Sequence, residues 1–397
     1  MYKRHPVVFR ALHEINKNIP DNCIGIHGNI YSVEGFDHPG GTIFIQMAKG
    51  QDCTSLFETH HINIERALFY LNKQTVVGKY ECIYKSDFKN YSLLRKYVKD
   101  LLKKEKSRII YVIRYLILFS VLFGHLLVCL FDFNHILIFV TSMLNTIAGS
   151  VGHNAVHRFE FLSLLLDWNG LSSSEWLLEH VMSHHMFTNT KHDHDAISME
   201  PFVSWYKGTL VKTKINMFLL HCIYAVGELV VAFNGLFIHK TRWLDSSFPI
   251  KIRLLPLLFP FRYITLIISH GTYIGSIIFA LQTMIASYVF SLLAHLNHAT
   301  AYTIVGRTDD FLLHQLRTTN DIDVKVMHLG LDRQTMHHLF PTIDHSHLDS
   351  ELRDQIRIYT KDMNTDLIKF SVFKLYEGMK TYIYEHNHNK NNFKSFD

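Results

Sequence analysis

Residues 133–157 read FNHILIFVTSMLNTIAGSVGHNAVH, an apolar run that ends in two closely spaced histidines. Phe133–Gly152 is long enough to cross a bilayer as a helix, at about 1.5 Å per residue. His153 and His157 follow at once, and their i, i+4 spacing places both rings on one face of a helix. The stretch therefore predicts a membrane helix whose end carries a pair of imidazoles.

Two later stretches repeat this histidine pattern. HVMSHH has the same i, i+4 spacing plus a third ring about 100° around an α-helix, and QTMHH has an amide in its first position. The three groups consist of His153 and His157, then His180, His184 and His185, then Gln334, His337 and His338. Imidazole-rich ligation without thiolates suits zinc, copper, iron or nickel. The pattern therefore predicts two bound metal ions without naming the metal.

Long apolar segments flank the first histidine group. Ile109–Phe131 is a second spanning candidate, and only Asp132 joins it to Phe133–Gly152, which predicts a tight helical hairpin. Basic residues concentrate at positions 95–108, just before the hairpin, and place that side in the cytosol. The first histidine group is then also expected on the cytosolic side.

Three further apolar segments, Met217–Ile238, Leu254–Ser269 and Thr272–Leu293, separate the second histidine group from the third. An even number of them must span if all three groups meet on one side. Basic residues after the first segment favour a cytosolic loop there, so we expect Met217–Ile238 to be interfacial or re-entrant. The alternative is that Leu254–Ser269, which contains Pro256 and Pro260, does not span.

The composition suits a polytopic membrane protein with soluble parts. Of the 397 residues 48% are hydrophobic, and the net charge is only +5. No basic stripe with interleaved aromatics is present, so nucleic acid is not an expected partner. Five scattered cysteines give neither a disulfide framework nor a zinc knuckle. The N-terminus has no long apolar core, so we expect no cleavable signal peptide and an N-terminal part that stays in the cytosol.

Turn signals and charge divide the chain into four parts. Residues 15–84 predict a small α+β domain of short strands and helices, and residues 85–108 predict a basic linker helix. Residues 109–385 contain the apolar segments and the histidine groups. The polar residues 386–397 predict a disordered tail.

HNAVH, HVMSHH and QTMHH resemble, in order, the three histidine boxes of the membrane fatty-acid desaturase family. The glutamine of the third box, with HHLFP after it, resembles the front-end subgroup. The resemblance covers roughly residues 110–350 and implies an O2-dependent oxidoreductase with two non-haem iron ions. It also implies an all-α polytopic membrane domain, with about four transmembrane helices under a cytosolic histidine-rich cap.

The resemblance carries the metal ligands over by position and implies no catalytic residue beyond them. The implied ligands are His153, His157, His180, His184, His185, His298, Gln334, His337 and His338. His298 resembles the family's additional ligand between the second and third boxes. Ala294 interrupts the family's asparagine-containing element four residues earlier, which leaves His295 as a rival.

Two acidic residues follow the second box. Asp193 and Asp195, in TNTKHDHD, resemble a family element at this place, although the interleaved histidines are unexpected there. A solvated acidic loop is the simpler interpretation. The alternative is that the two carboxylates orient the rings of metal ligands.

The run IHGNIYSVEGFDHPGG, residues 26–41, resembles the strand, turn and haem loop of cytochrome b5. The resemblance implies haem b with His38 as one axial ligand. FETHH offers two adjacent candidates for the second, and relatives fused to desaturases favour His61 over His60. Two axial imidazoles leave no open position, so such a haem transfers single electrons. An electron carrier beside the histidine groups favours iron among the possible metals.

Together the two resemblances predict a front-end desaturase in the endoplasmic reticulum membrane, with its haem and iron sites facing the cytosol. NADH-cytochrome b5 reductase would supply the electrons, and a long acyl chain, as acyl-CoA or acyl-lipid, would gain a cis double bond toward its carboxyl end. A fatty-acid or sphingolipid hydroxylase with the same metal centre is one alternative. A non-enzymatic haem protein is another, because FETHHIN, ISMEPFVSW and HHLFPTIDHSHL resemble insect-type cytochrome-b5-related proteins.

Overall fold

The N-terminal unit is a small α+β domain. The structure, a computed structural model, describes residues 18–82, 85–102, 109–190, 192–197, 217–233, 236, 254–304, 306–323, 331–344, 350–361 and 369–388. Three antiparallel strands form the sheet of this unit in the order β1 (Cys23–Ile26), β2 (Asn29–Ser32) and β3 (Val76–Lys79). The helices between β2 and β3 are α1 (Thr42–Ala48), α2 (Thr54–His60) and α3 (Ile64–Leu71).

The turn between β1 and β2 consists of two residues in the left-handed region. His27 has φ 50° and Gly28 has φ 78°, the conformation that joins two twisted strands most tightly. The hairpin places Ile24 and Ile26 in a core that also contains Phe57 of α2. This core fixes α2, whose last residues carry the histidines of FETHH.

The helix after this domain belongs to the core of the protein. The sequence predicts a basic linker helix over residues 85–108, and the structure has α4 (Lys89–Leu102) with an apolar face that is fully buried. Tyr91, Leu94 and Val98 form that face, and the Tyr91 hydroxyl donates a hydrogen bond to Leu339 O at 2.7 Å. An amphipathic helix is stabilised by burying such a stripe. α4 therefore packs between the two units, with its apolar face buried.

A buried ion pair ties α4 to the N-terminal domain. Arg95 Nη1 donates hydrogen bonds to Glu58 Oε2 at 2.6 Å and to Glu58 O at 2.7 Å. The two side chains are only 6% and 9% exposed. His27 Nε2 lies 2.7 Å from Glu58 Oε1 on the other side of the carboxylate. The charges of the pair are thus compensated where water is excluded.

The first two membrane helices form the predicted hairpin. α5 (Ile109–Leu130) and α6 (His135–Val156) pack in antiparallel fashion, with Val121 in one cluster with Ala148. The side chain of Asn134 accepts a hydrogen bond from Leu137 N at 3.0 Å and caps the start of α6. Because the link is short, α6 returns to the side from which α5 began.

A group of short elements follows α6 and contains the second histidine box. The elements are a 3-10 turn (Phe161–Ser163), α7 (Leu164–Trp168), α8 (Ser173–Trp176), a π-helix (Leu177–His184), α9 (His185–Phe187) and α10 (His194–Ile197). They lie against the end of α6.

Two further apolar helices are α11 (Met217–Phe233) and α12 (Leu258–His298), the latter preceded by a 3-10 turn at Leu255–Leu257. α12 is interrupted at Gly271, whose φ of 76° and ψ of 164° favour glycine. The chain reverses there, since the Tyr263 hydroxyl lies 2.9 Å from Ser276 Oγ. The last two apolar segments of the sequence are therefore the two arms of a hairpin.

α11 lies beside this hairpin and is shorter than it. Leu220, near its start, packs with Leu296, and Ala232, at its end, packs with Phe279. Within the described residues, three helices are long and apolar enough to cross a membrane: Val112–Leu130, His135–Val156 and Leu255–His298, the last being the broken one. The chain is therefore a membrane protein.

The remaining elements complete the cap over the histidine-bearing helix ends. They are α13 (Phe311–Thr318), β4 (Asp321–Ile322), a 3-10 turn (Leu331–Arg333), α14 (Gln334–Leu339), α15 (Ser350–Thr360), β5 (Lys369–Phe370) and α16 (Val372–His388). α16 continues three residues into the segment predicted to be a disordered tail, and residues 389–397 lie outside the described residues. The α+β domain and the helical membrane unit with its histidine-rich cap agree with the predicted fold class.

Candidate metal centre

The second histidine group lies on a π-helix, where the sequence predicts an α-helix. Leu177–His184 makes i→i+5 hydrogen bonds, which widen the turn. The rings of His180 and His184 stack 5.0 Å apart, and His185 Nε2 lies 3.0 Å from His180 Nε2. On an α-helix His185 would point about 100° away from His184. The π-helix therefore turns all three rings toward one site.

Five histidines form a first cluster. They come from the end of α6, the π-helix, the start of α9, and α14, and they are His153, His157, His180, His185 and His337. One ring nitrogen of each lies within 4.8 Å of those of the others. The shortest of these separations is 2.7 Å, between His153 Nε2 and His180 Nε2. All five residues are at most 3% exposed, so the nitrogens converge in a water-poor space.

Three histidines form a second cluster, and they are His184, His298 and His338. His184 Nε2 and His338 Nε2 lie 3.2 Å apart. Gln334 contacts this cluster through its amide group, with Nε2 at 3.2 Å from His298 Nε2. The structure thus brings every predicted metal-site residue to one of two adjacent clusters.

His295 takes a different position from His298. Its Nδ1 donates a hydrogen bond to Ser291 O at 2.8 Å, and its ring packs on Tyr224 with centroids 5.0 Å apart. His298, one turn further along α12, faces His184 and His338. The geometry favours His298 as the additional ligand.

The two acidic residues after the second box contact ring nitrogens. Asp193 Oδ2 lies 2.9 Å from His184 Nδ1, and Asp195 Oδ2 lies 2.6 Å from His180 Nδ1. The Asp193 side chain is completely buried. The solvated acidic loop is therefore wrong, and the alternative is correct: the carboxylates orient two imidazoles.

Two acceptors in α13 act in the same way and were missed in the sequence. Gln315 Oε1 lies 3.0 Å from His338 Nδ1, and Thr318 O lies 3.0 Å from His298 Nδ1. A lone glutamine and a backbone carbonyl in an eight-residue helix have no sequence signature. Only the packing of α13 against α12 and α14 reveals their role.

These contacts decide which ring nitrogens carry protons. An imidazole whose Nδ1–H donates to an oxygen presents the lone pair of Nε2. His184 Nε2 and His338 Nε2 face each other at 3.2 Å, a contact that a shared proton or a metal ion between them would stabilise. Two nitrogens that bind one ion at about 2.1 Å and at right angles are separated by about 3 Å. The residues present thus fit bound metal.

The proton affinities of the rings agree with this role. Burial lowers the pKa of His180, His185 and His338 well below the usual histidine value, and neighbouring histidines lower it further. They are neutral at physiological pH, which is the form that binds metal. Burial also lowers the pKa of His184, but the charge and hydrogen bond of Asp193 raise it more, so its pKa lies above the usual value. The same carboxylate strengthens His184 as a ligand.

A second site lies between the N-terminal domain and the cap. A cavity of about 550 Å³ is lined by apolar residues of α1 to α3 and by His38 and His61. The ring centroids of these two histidines are 5.9 Å apart. An iron ion between two axial imidazoles requires a centroid separation of about 6 Å, given Fe–N bonds of about 2 Å. The apolar walls and the facing imidazoles fit a haem.

Comparison with known families agrees with both sites. The fatty acid desaturase model matches residues 133–357, which is more than half of the chain. The chain belongs to the fatty acid desaturase family. A cytochrome b5-like heme/steroid binding domain matches residues 10–81 of this desaturase. It is an O2-dependent oxidoreductase with haem in its N-terminal domain and a di-iron centre that suits its histidine clusters.

Named relatives of the desaturase cover most of its length. The cytochrome b5-related protein of Drosophila melanogaster is 28% identical over 81% of this chain and 78% of the relative. A probable Delta(5) fatty acid desaturase C of Dictyostelium discoideum is 26% identical over 81% and 82%. The acyl-lipid (8-3)-desaturase of Mortierella alpina is 23% identical over 82% and 85%. No solved structure matches the chain.

Proposed function

We propose that this desaturase acts on an acyl-lipid or acyl-CoA as a front-end enzyme, placing a cis double bond between an existing double bond and the carboxyl end. The observation that carries the proposal is the convergence of eight histidines in two clusters, the first of which includes His157, a residue that also lines the haem cavity. The names Delta(5) fatty acid desaturase and acyl-lipid (8-3)-desaturase belong to relatives that match more than four fifths of this chain.

The two clusters are proposed to hold one iron ion each. The first iron would be held by His153, His157, His180, His185 and His337, and the second by His184, His298 and His338, with Gln334 beside it. The proposal is supported by the acceptors that fix the outer ring nitrogens of both clusters. No further catalytic residue is required of the chain.

The haem is proposed to be haem b, with His38 and His61 as its axial ligands. His61 faces His38 across the cavity, whereas His60 turns its Nε2 away toward the cap. The corresponding domains are residues 15–84 for the haem domain, 85–108 for the connecting helix, 109–385 for the desaturase domain and 386–397 for the tail.

The di-iron site, when loaded, supplies the activation of O2. Overall, one CH2–CH2 unit loses two hydrogens, O2 accepts them with two electrons and two protons, and two water molecules form. The chain's own residues orient the imidazoles, shield them from water and lower the pKa of most of them. A haem held between His38 and His61 would supply electrons one at a time.

The membrane arrangement follows from the hairpins. α5 and α6 form one pair and the two arms of α12 form another, so we propose four spans with α11 re-entrant. The basic residues before α5 support the proposal that the haem domain and the cap lie on the cytosolic face of the endoplasmic reticulum. NADH-cytochrome b5 reductase is the proposed electron source there.

The test is expression in yeast fed with polyunsaturated fatty acids and sphingoid precursors, followed by mass spectrometry of total lipids. A matched pair of variants controls it: His298→Ala should abolish the new product, whereas His295→Ala, one turn away, should retain it. A hydroxylated lipid would identify a hydroxylase instead. No new lipid from a protein loaded with haem and iron, across acyl and sphingoid substrates, would contradict the proposal and favour a non-enzymatic haem protein.

A further inference from the structure

The haem cavity has a wall from the desaturase domain. Besides the helices of the haem domain, its lining includes His157 and Arg158 from the end of α6, and Val181 and Met182 from the π-helix. These residues belong to, or directly adjoin, the first histidine cluster. The haem cavity and the metal centre are therefore separated by one layer of side chains.

His60 lies in that layer and contacts both sides. It directly precedes the haem-facing His61 in the chain, and its Nε2 lies 3.5 Å from His157 Nδ1. This distance is at the long end of the hydrogen-bonding range. The two rings are 5.6 Å apart between centroids and are tilted by 38°.

The hydrogen bonds along this contact can be assigned donors and acceptors that agree with one another. The Thr59 hydroxyl donates to Ser55 O at 2.8 Å, so the Thr59 oxygen is free to accept from His60 Nδ1–H at 3.0 Å. His60 Nε2 then carries a lone pair that accepts from His157 Nδ1–H. His157 in turn presents its Nε2, which is buried and meets no hydrogen-bond partner among the described residues, to the first cluster.

We infer that His60 is the electron-transfer contact between the haem and the iron nearest to His157. This inference rests on the proposed roles of His61 and His157 as ligands. The peptide linkage from His61 to His60 and the ring contact from His60 to His157 form a continuous route from the haem side to the first cluster. From the sequence alone, His60 is only the alternative to His61 as a haem ligand.

The electron count of this step is simple. One electron leaves the reduced haem, which becomes ferric, and one ferric iron of the centre becomes ferrous. No bond forms or breaks, and the rings of His60 and His157 both keep their protons. Two such transfers provide the two electrons that each O2 requires, and the reductase restores the reduced haem after each transfer.

The experiment uses the full-length protein in lipid nanodiscs, loaded with haem and iron. The haem is reduced selectively and anaerobically by NADH and its reductase. Its reoxidation by the ferric irons is then followed by haem absorbance, without substrate or O2. His60→Phe keeps an aromatic ring but removes both nitrogens, and it should slow reoxidation by about tenfold or more. The haem spectrum, haem midpoint potential and iron content should be unchanged.

A second variant keeps the inference testable if the His60→Phe protein does not retain iron. Thr59→Val removes the acceptor that orients the His60 ring but touches neither ligand, and it should slow reoxidation by about threefold. Thr75→Val, the same replacement at an exposed position of the haem domain outside the cavity lining, should leave the rate unchanged. Wild-type reoxidation rates in whichever of the two test variants retains iron would overturn the inference.

The same measurement separates this inference from the proposed function. Rapid reoxidation of the wild-type haem without any desaturated product would leave the inference standing and remove the desaturase activity. A wild-type haem that the irons do not reoxidise would overturn the inference, even if product forms with an external electron donor.

Discussion

Asp193 Oδ2 lies 2.9 Å from His184 Nδ1, and the carboxylate is completely buried at this contact. It also accepts a hydrogen bond from Asn189 N at 2.8 Å, so its position is fixed from two directions. The carboxylate therefore sets both the orientation and the basicity of one imidazole in the second cluster.

Asp193→Asn should weaken the second iron site without unfolding the protein. The amide keeps the shape of the carboxylate but loses its charge, so we expect iron affinity or activity to fall by about 10-fold to 100-fold. Iron content after dialysis against a graded chelator is the measurement. Asp354→Asn, a change at an exposed position of α15, is the control and should bind iron normally. Equal iron retention in both variants would contradict the assignment.

Substitution of the two adjacent histidines in FETHH should separate their roles. His61→Ala should eliminate the low-spin haem absorption, because it removes one of two axial ligands. His60→Ala should preserve that absorption, since its ring faces His157. Visible spectra of the purified variants decide the question. The opposite pattern would make His60 the axial ligand and would also end its assignment as a contact residue.

Breaking the buried ion pair should loosen the haem domain from α4. Arg95→Met leaves the Glu58 carboxylate with only His27 as a partner, and we expect a loss of about 3 kcal/mol in the free energy of unfolding. The double variant Arg95→Met with Glu58→Gln removes both charges and should recover much of the loss. Denaturant unfolding of the detergent-solubilised protein, followed by haem absorbance, provides the comparison. If the double variant is less stable than Arg95→Met, the pair contributes through its shape rather than its charge.

The close contact between α6 and α7 should not tolerate an added methyl group. A Cβ at Gly152 would lie 2.8 Å from Leu166 N and 3.0 Å from Leu166 Cγ. Gly152→Ala therefore forces α6 away from α7, at a cost of about 1–3 kcal/mol, and moves the adjacent His153. We expect reduced iron content, measured by elemental analysis. Gly227→Ala, whose nearest contact is an ordinary 3.5 Å to Ser287 Oγ, is the control.

The sequence predicts the histidine groups well because their spacing is local. His153 and His157 lie on one helix face wherever that helix packs, so the pattern alone places them together. The sequence does not predict the π-helix, because an extra residue in a turn leaves no distinct composition. The sequence therefore includes His185 among the ligands but not the turn geometry that brings its ring to the first cluster.

The sequence also does not predict the contacts between distant parts of the chain. Arg95 and Glu58 read as ordinary surface charges until the packing of α4 buries them. Gln315 reads as a polar helix residue until α13 lies against His338. The pairing of His60 with His157 depends on how two domains dock, and no local pattern encodes that arrangement.

The burial of α4 has a kinetic consequence. A haem domain on a loose tether would have to search for its acceptor, and its supply of electrons would depend on linker length and ionic strength. Here Tyr91 and Leu94 anchor the domain permanently, so delivery of each electron is a first-order event inside one molecule. Dilution or added salt would therefore leave this internal step unchanged, and a free cytochrome b5 would find the docking face already occupied.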